Sequence, residues 1–349
     1  MKDILRLVRK NVIQMKPYSS ARDLWSGGIL LDANENPFPP VQALNGINGL
    51  NRYPDPKQTA LRKAVSEKLG VRPEKLFFGV GSDEIIDLLI RIFCYPGKDE
   101  IIINEPTYGM YRVAADFNDV TVKNVMPDDD FQPDADAVIK AAGINTKLIF
   151  LCSPNNPTGN LLAKDRVEQI ISSTDAIVVI DEAYIDFTPR DTFLPLLEKY
   201  NNLVIMRTFS KAMGLAGIRL GYCAAAEEII NLLFKVKAPY NINTLTSQAA
   251  LEAMSDSGFF ESAVSMITSE RNSLSEFLRS LPVIEKVYPS DANYILIRSR
   301  ISKEIFSALI DAGIVIRDRS NQPKLENCLR ITVGSPEENQ KLKEVLKKL

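Results

Sequence analysis

From position 57 onward, the apolar positions of the chain alternate between two spacings. KQTALRKAVSEKLG (57–70) repeats its apolar residues at helical period, and LFFGV (76–80) is a short apolar run that ends before a glycine. EIIDLLIRIF (84–93) places Ile85, Ile86, Leu88, Leu89, Ile92 and Phe93 on one broad helical face, stopped by Pro96-Gly97. Candidate strands follow at EIII (100–103), VTVKNV (120–125), KLIFLC (147–152), AIVVI (176–180), NLVIMRT (202–208) and LGYCAA (220–225), most of them separated by helical segments. Four of these runs are apolar at consecutive positions, the pattern of strands covered on both faces. The repeated strand–helix order predicts an α/β layer around a mostly parallel sheet.

After about Thr246 the pattern becomes two long helical stretches, then strands ANYILI (292–297) and LRITV (329–333) and a terminal helix from Glu337. This predicts a smaller α+β domain. The expected organisation is an N-terminal segment (1–45), irregular after a short amphipathic helix and extended through DANENPFPP (32–40), then a large domain (46–250) and a small one (251–349). The N-terminal segment is expected to pack partly on the small domain and partly on a partner subunit.

Composition changes the chemical picture more than the fold. The 349 residues include no histidine, which removes Ser-His-Asp and Cys-His catalysis, HExxH zinc sites and any imidazole base. Proton transfer falls to Lys, Asp, Glu, Tyr or Cys. Lys+Arg 42 against Asp+Glu 44 leaves a net charge of -2, with no basic field for nucleic acid or anionic membrane. Cys94, Cys152, Cys223 and Cys328 are too far apart for a CxxC motif and sit in apolar runs, as small buried hydrophobes do. The charged start of the chain is neither a signal core nor a span, and no stretch reaches 18 uncharged apolar residues; the expected location is the cytoplasm.

Ligands of open parallel sheets bind at the carboxyl ends of the strands. After LFFGV comes Gly81-Ser82-Asp83-Glu84 and a helix, which reads either as an N-cap or as an anion-holding terminus. After KLIFLC comes SPNNPTG (153–159), and after AIVVI comes DEAY (181–184). An acid at the end of a buried strand needs a cation or strong donor, although capping or a local salt bridge also accounts for Asp181. After NLVIMRT comes Phe209-Ser210-Lys211 in a glycine-rich loop, eight residues before Arg219.

Together these supply an amine nucleophile (Lys211), a carboxylate (Asp181), donors (Asn156, Tyr184) and an anion cradle (Ser82 and Asp83 amides, Thr208, Ser210, Arg219). For a chain without histidine, the simplest use of that set is a phosphorylated carbonyl cofactor held by lysine, and pyridoxal 5'-phosphate needs these parts.

At these residues the sequence resembles the fold-type I, pyridoxal-phosphate-dependent aminotransferases, through SPNNPTG, DEAY and SKAMGLAGIRLGY (210–222) in order. Within that group it is similar to the histidinol-phosphate aminotransferases over essentially the whole chain. PYSSAR (17–22), DANENPF (32–38), NRYPDP (51–56), GVGSDEII (79–86), EPTYGMY (105–111), Arg317-Asp318 and CLRITVG (328–334) carry this narrower likeness. The resemblance implies an aspartate-aminotransferase-like fold and a homodimer with shared active sites. It implies that Lys211 binds the cofactor as a Schiff base, Asp181 pairs with the ring nitrogen, and Asn156 and Tyr184 bond the phenolic oxygen. Tyr108 would stack on the ring. Ser82, Asp83, Thr208, Ser210 and Arg219 would hold the phosphate, with Tyr53 reaching in from a second subunit. Tyr18, Asn34, Arg317 and Arg330 would contact substrate, the arginines gripping phosphate or carboxylate.

The implied reaction is ping-pong amino transfer between histidinol phosphate and 2-oxoglutarate, a step of histidine biosynthesis, with Lys211 as the proton carrier. A threonine-phosphate decarboxylase or an aromatic amino acid aminotransferase shares the same cofactor residues. A non-catalytic regulator on this fold needs a DNA-binding module in front, for which the segment before Pro37 leaves no room.

Overall fold

The structure, a computed structural model, describes residues 1–14, 49–188 and 191–349. Tyr18 and Asn34 lie outside them. The elements run α1 (Lys10–Gln14), α2 (Thr59–Leu69), β1 (Leu76–Val80), α3 (Gly81–Phe93), β2 (Glu100–Ile103), α4 (Met110–Phe117), β3 (Thr121–Asn124), α5 (Ala135–Ala141) and β4 (Thr146–Cys152). There follow α6 (Lys164–Ser173), β5 (Ile177–Asp181), β6 (Leu203–Thr208), β7 (Leu220–Ala225), α7 (Glu227–Val236), α8 (Thr244–Ser255) and α9 (Ser257–Ser280). The chain ends with β8 (Lys286–Val287), β9 (Tyr294–Arg298), α10 (Ser302–Asp311), β10 (Arg317–Asp318), β11 (Cys328–Thr332) and α11 (Pro336–Leu346).

Among the described residues, seven strands form one sheet in the order β1-β7-β6-β5-β4-β2-β3. Strand β7 runs antiparallel to both neighbours, and the other pairings are parallel. The uninterrupted apolar runs are explained by helices on both faces. Leu148, Phe150 and Cys152 of β4 join one core with Val179 and Met206, under α3, α4 and α7. The alternate residues Ile149 and Leu151 join the other core with Val178 and Ile205, under α2 and α6. Each such fully buried aliphatic side chain contributes about 1.5–3 kcal/mol relative to exposure.

A second sheet, in the order β10-β11-β9-β8, is antiparallel throughout. One face packs on α9, α10 and α11 through Leu274, Leu278, Ile305, Leu309 and Leu342. Helix α11 starts with a capping box, in which Glu338 N–H donates to Ser335 Oγ (3.2 Å) and Ser335 N–H to Glu338 Oε2 (2.8 Å). Among the described residues, no helix is long and apolar enough to cross a membrane. All four cysteines are buried and unbridged.

The start of the chain differs from the single amphipathic helix expected. A 3-10 turn at Leu5–Leu7 and the short α1 are separated at Val8, whose backbone is extended. Arg9 N–H donates to the Ile92 carbonyl at the end of α3 (3.0 Å), so this backbone is bonded across the fold rather than along a helix.

Candidate active site

Register brings the strand ends together. Cys152 stands opposite Asp181, Asp181 opposite Met206, and Thr208 opposite Gly221. Because β7 is antiparallel, its first residue Leu220 stands opposite Val80, the last residue of β1. The loops after β4, β5 and β6, the loop into β7 and the first turn of α3 therefore share one edge of the sheet. Gly221 permits this approach, since a Cβ there would lie 2.5 Å from the Ser82 nitrogen. Gly81, at φ +71, turns the chain from β1 into α3 in a conformation that side chains resist.

The edge opens into a cavity of about 570 Å³, lined among others by Ser82, Asp83, Tyr108, Asn156, Asp181, Tyr184, Thr208, Ser210, Lys211, Arg219, Arg317 and Arg330. Twelve of the expected site residues thus line one space. Tyr53 is not among them; it is half exposed and stacks on Tyr240, with centroids 4.4 Å apart.

Asp181 is buried at the cavity floor and has no ion pair among the described residues. Tyr111 donates to its Oδ2 (2.7 Å) and the Ala183 N–H to its Oδ1 (3.0 Å). Burial pushes its carboxyl up to about 6, against those two hydrogen bonds. Its neighbour Glu182 is paired instead, with Arg207 at 2.8 Å, and faces away from the cavity. Lys211 Nζ lies 5.4 Å from the Tyr184 ring centroid. Its ammonium is held below the usual lysine range by burial first, then by the Arg330 charge, which favours the neutral amine.

Asn156 Nδ2 donates to Tyr184 Oη (3.4 Å), and its Oδ1 accepts from Arg330. Arg219 contacts Asp83 Oδ2 (3.3 Å), while Tyr108 Oη donates to Asp83 Oδ1 (3.0 Å). Asp83 thereby orients an arginine and a tyrosine, leaving the amides of the first turn of α3 for an anion. The Thr208 hydroxyl accepts from the Ser210 N–H (3.1 Å), which shapes the loop that carries Lys211.

Some cavity-lining residues, and one beneath the floor, escaped the sequence reading. Tyr111, the second residue of α4, is fully buried, stacked on Phe150 and edge-on to Tyr108. Its spacing to Ala114 and Ala115 reads as an ordinary buried helix face, so no local signal marks its bond to Asp181. Arg319 and Gln322 also line the cavity. Period-two alternation from Arg317 marks Arg319, and no local pattern marks Gln322.

The donor set fits a phosphorylated pyridine aldehyde. A buried carboxylate without a cation suits a protonated ring nitrogen, Lys211 is biased toward its neutral form, and the α3 terminus with Arg219 and Ser210 suits a phosphate.

Similar proteins share both the sequence and the architecture. The chain is 49% identical over 343 residues to a histidinol-phosphate aminotransferase of Cytophaga hutchinsonii, covering 98% of this chain and 97% of that protein. The structure of the histidinol-phosphate aminotransferase from Clostridium acetobutylicum superposes with a TM-score of 0.79 at 27% identity, covering 86% of this chain and 90% of that one. An aspartate aminotransferase variant from Thermus thermophilus gives 0.73 at 25% identity, over 85% and 88% of the two chains. The expected aspartate-aminotransferase-like α/β fold is the one observed. A sequence profile of the aminotransferase class I and II family matches residues 26–346, and the chain belongs to that family.

Proposed function

We propose that the protein is a pyridoxal-phosphate-dependent transaminase that interconverts histidinol phosphate and 2-oxoglutarate with imidazole acetol phosphate and glutamate. The observation that carries this reading is the two-ended cavity: Asp181, Asn156, Tyr184 and Lys211 at one end, and at the other arginines that have no acidic partner among the described residues. The relative from Cytophaga hutchinsonii is named for histidinol phosphate, which supports that donor.

When bound, the cofactor supplies a protonated ring that withdraws electrons from the substrate carbon bearing the amine. Asp181 would keep the ring nitrogen protonated, and Tyr111 would hold that carboxylate in place. Asn156 and Tyr184 would bond the ring oxygen, with Tyr108 against the ring. Ser82, Asp83, Thr208, Ser210 and Arg219 would hold the phosphate. Lys211 would anchor the cofactor and then, as a neutral amine, take the proton from the substrate's amine-bearing carbon and return it during the exchange. Arg330 and Arg317 would grip the substrate's phosphate or carboxylate bidentately.

A cytoplasmic homodimer completes the reading, with Tyr53 of one subunit serving the site of the other, residues 46–250 as cofactor domain and 251–349 as small domain. Tyr18 and Asn34 would cover the substrate. Single-turnover half-reactions test the function. Histidinol phosphate, phosphothreonine, phenylalanine and glutamate are offered to the loaded enzyme, and the cofactor absorbance should change fastest with histidinol phosphate. An unchanged spectrum with that donor would falsify the substrate assignment. Sedimentation of an active monomer would remove the shared-site reading.

A further inference from the structure

Arg317 and Arg330 are direct cross-strand partners in β10 and β11. The ladder continues one step further, where the Arg319 N–H donates to the Cys328 carbonyl (2.9 Å). Side chains alternate along a strand, so Arg317 and Arg319 emerge on the face that Arg330 shares. All three line the cavity, and among the described residues none of them has an acidic partner. Among the described residues, the buried Nε atoms of Arg319 and Arg330 find no hydrogen-bond acceptor and the buried Gln322 Oε1 no donor.

These guanidiniums are not interchangeable. Arg330 is tied to Asn156 and lies over the Tyr294 ring, 5.1 Å from its centroid. Its charge bears on Lys211. Burial first, and then the charges of Arg330 and Arg317, hold Arg319 below the usual arginine range. Arg317 is exposed while Arg319 and Arg330 are partly buried, and like charges set side by side on one face favour an anion that completes the site. A carboxylate attached to the amine-bearing carbon carries one charge close to Lys211, and the fork of Arg330 satisfies it. A phosphate ester on the next carbon places about two negative charges two bonds further out, with three strong acceptor oxygens.

We propose that Arg319 is a specificity-determining residue, a third guanidinium that binds the outer phosphate of an amine donor and so favours phosphorylated donors over carboxylate ones. Gln322, on the same turn, supports it by turning its amide N–H group toward the same anion. The inference rests on the donor reading given above and extends it to a residue that reading does not use.

The test replaces Arg319 by Gln and, separately, by Lys in the cofactor-loaded enzyme. Donor half-reactions are followed by absorbance, and inorganic phosphate binding is measured by calorimetry, the cofactor's own phosphate site being filled. Removing one charge-assisted contact by Arg319→Gln should weaken inorganic phosphate and raise the KM for histidinol phosphate about ten- to a hundredfold, while the glutamate half-reaction changes less than about threefold. Arg319→Lys should recover part of the loss. Equal losses for all donors, or an unchanged phosphate affinity, would overturn the proposal. If the wild-type enzyme ignores histidinol phosphate, the donor assignment fails, and the phosphate titration of the variants still decides the role of Arg319. Thermal melting identifies a variant that fails to fold, in which case the Lys variant carries the comparison.

Discussion

Tyr111 holds Asp181 by a 2.7 Å hydrogen bond from Oη to Oδ2, beneath the cavity and out of reach of solvent. A donor to a carboxylate favours its ionised form, so Tyr111 opposes the burial that pushes Asp181 upward. Replacing Tyr111 by Phe removes that donor and little volume. The acid limb of the pH profile of kcat/KM should move up by about one unit, with the melting temperature nearly unchanged. Superimposable profiles would mean that the bond is packing only.

In the cofactor-free protein Asp181 is a buried acid whose carboxyl lies near 6, above its unfolded value of 3.8. The folded state therefore binds more protons between those values, and stability falls as pH rises from about 4 to about 6. Above that window the ionised carboxylate remains a cost. Asp181→Asn should raise the stability of the cofactor-free protein at pH 7 by about 1–3 kcal/mol, with the gain shrinking as pH falls from about 6 to about 4, while abolishing amino transfer. Urea unfolding across pH reads this directly, and a variant less stable at pH 7 would contradict it.

Lys211→Ala should reduce amino transfer by a factor of about 10²–10⁴ or more, since it removes the amine assigned to proton transfer. The loaded variant should also lose the visible absorbance of lysine-bound cofactor. Retention of that absorbance would show that another residue anchors the group.

Gly221→Ala tests the close approach of β7 to α3. The added carbon would meet the Ser82 nitrogen at 2.5 Å and the Gly81 carbonyl carbon at 2.7 Å, both backbone atoms that cannot swing aside. A loss of about 1–3 kcal/mol on urea unfolding is expected from such overpacking. Weaker cofactor binding should accompany it, because the displaced turn carries Ser82 and Asp83. A melt equal to the wild type would place the strain elsewhere.

Much of the fold was legible because its cause is local. Runs such as AIVVI announce strands covered on both sides, and β5 is indeed sandwiched between two apolar cores. The candidate site was legible for a related reason. Asn156, Asp181 and Lys211 each follow such a run, and parallel strands align their ends. What escaped depends on neighbours distant in sequence. Strands β8 and β10 contain two residues each, too few to show a period. Tyr111 and Arg319 acquire meaning only from partners elsewhere in the chain, Asp181 for one and Arg330 for the other. The opening helix failed because Arg9 found a backbone acceptor at Ile92.

The loop after β4 has one further consequence. Asn155 accepts from Tyr294 Oη through its carbonyl (2.6 Å), and Asp291 N–H donates to the Gly159 carbonyl (2.8 Å), so this loop is riveted to the four-stranded sheet. The next residue, Asn156, has one amide with two clients, Tyr184 on one side and Arg330 on the other. An anion that drew Arg330 off this bond would leave the Asn156 amide answering to Tyr184 alone. Arrival of substrate at one end of the cavity would thereby be reported, through a single side chain, to the group assigned to the ring at the other.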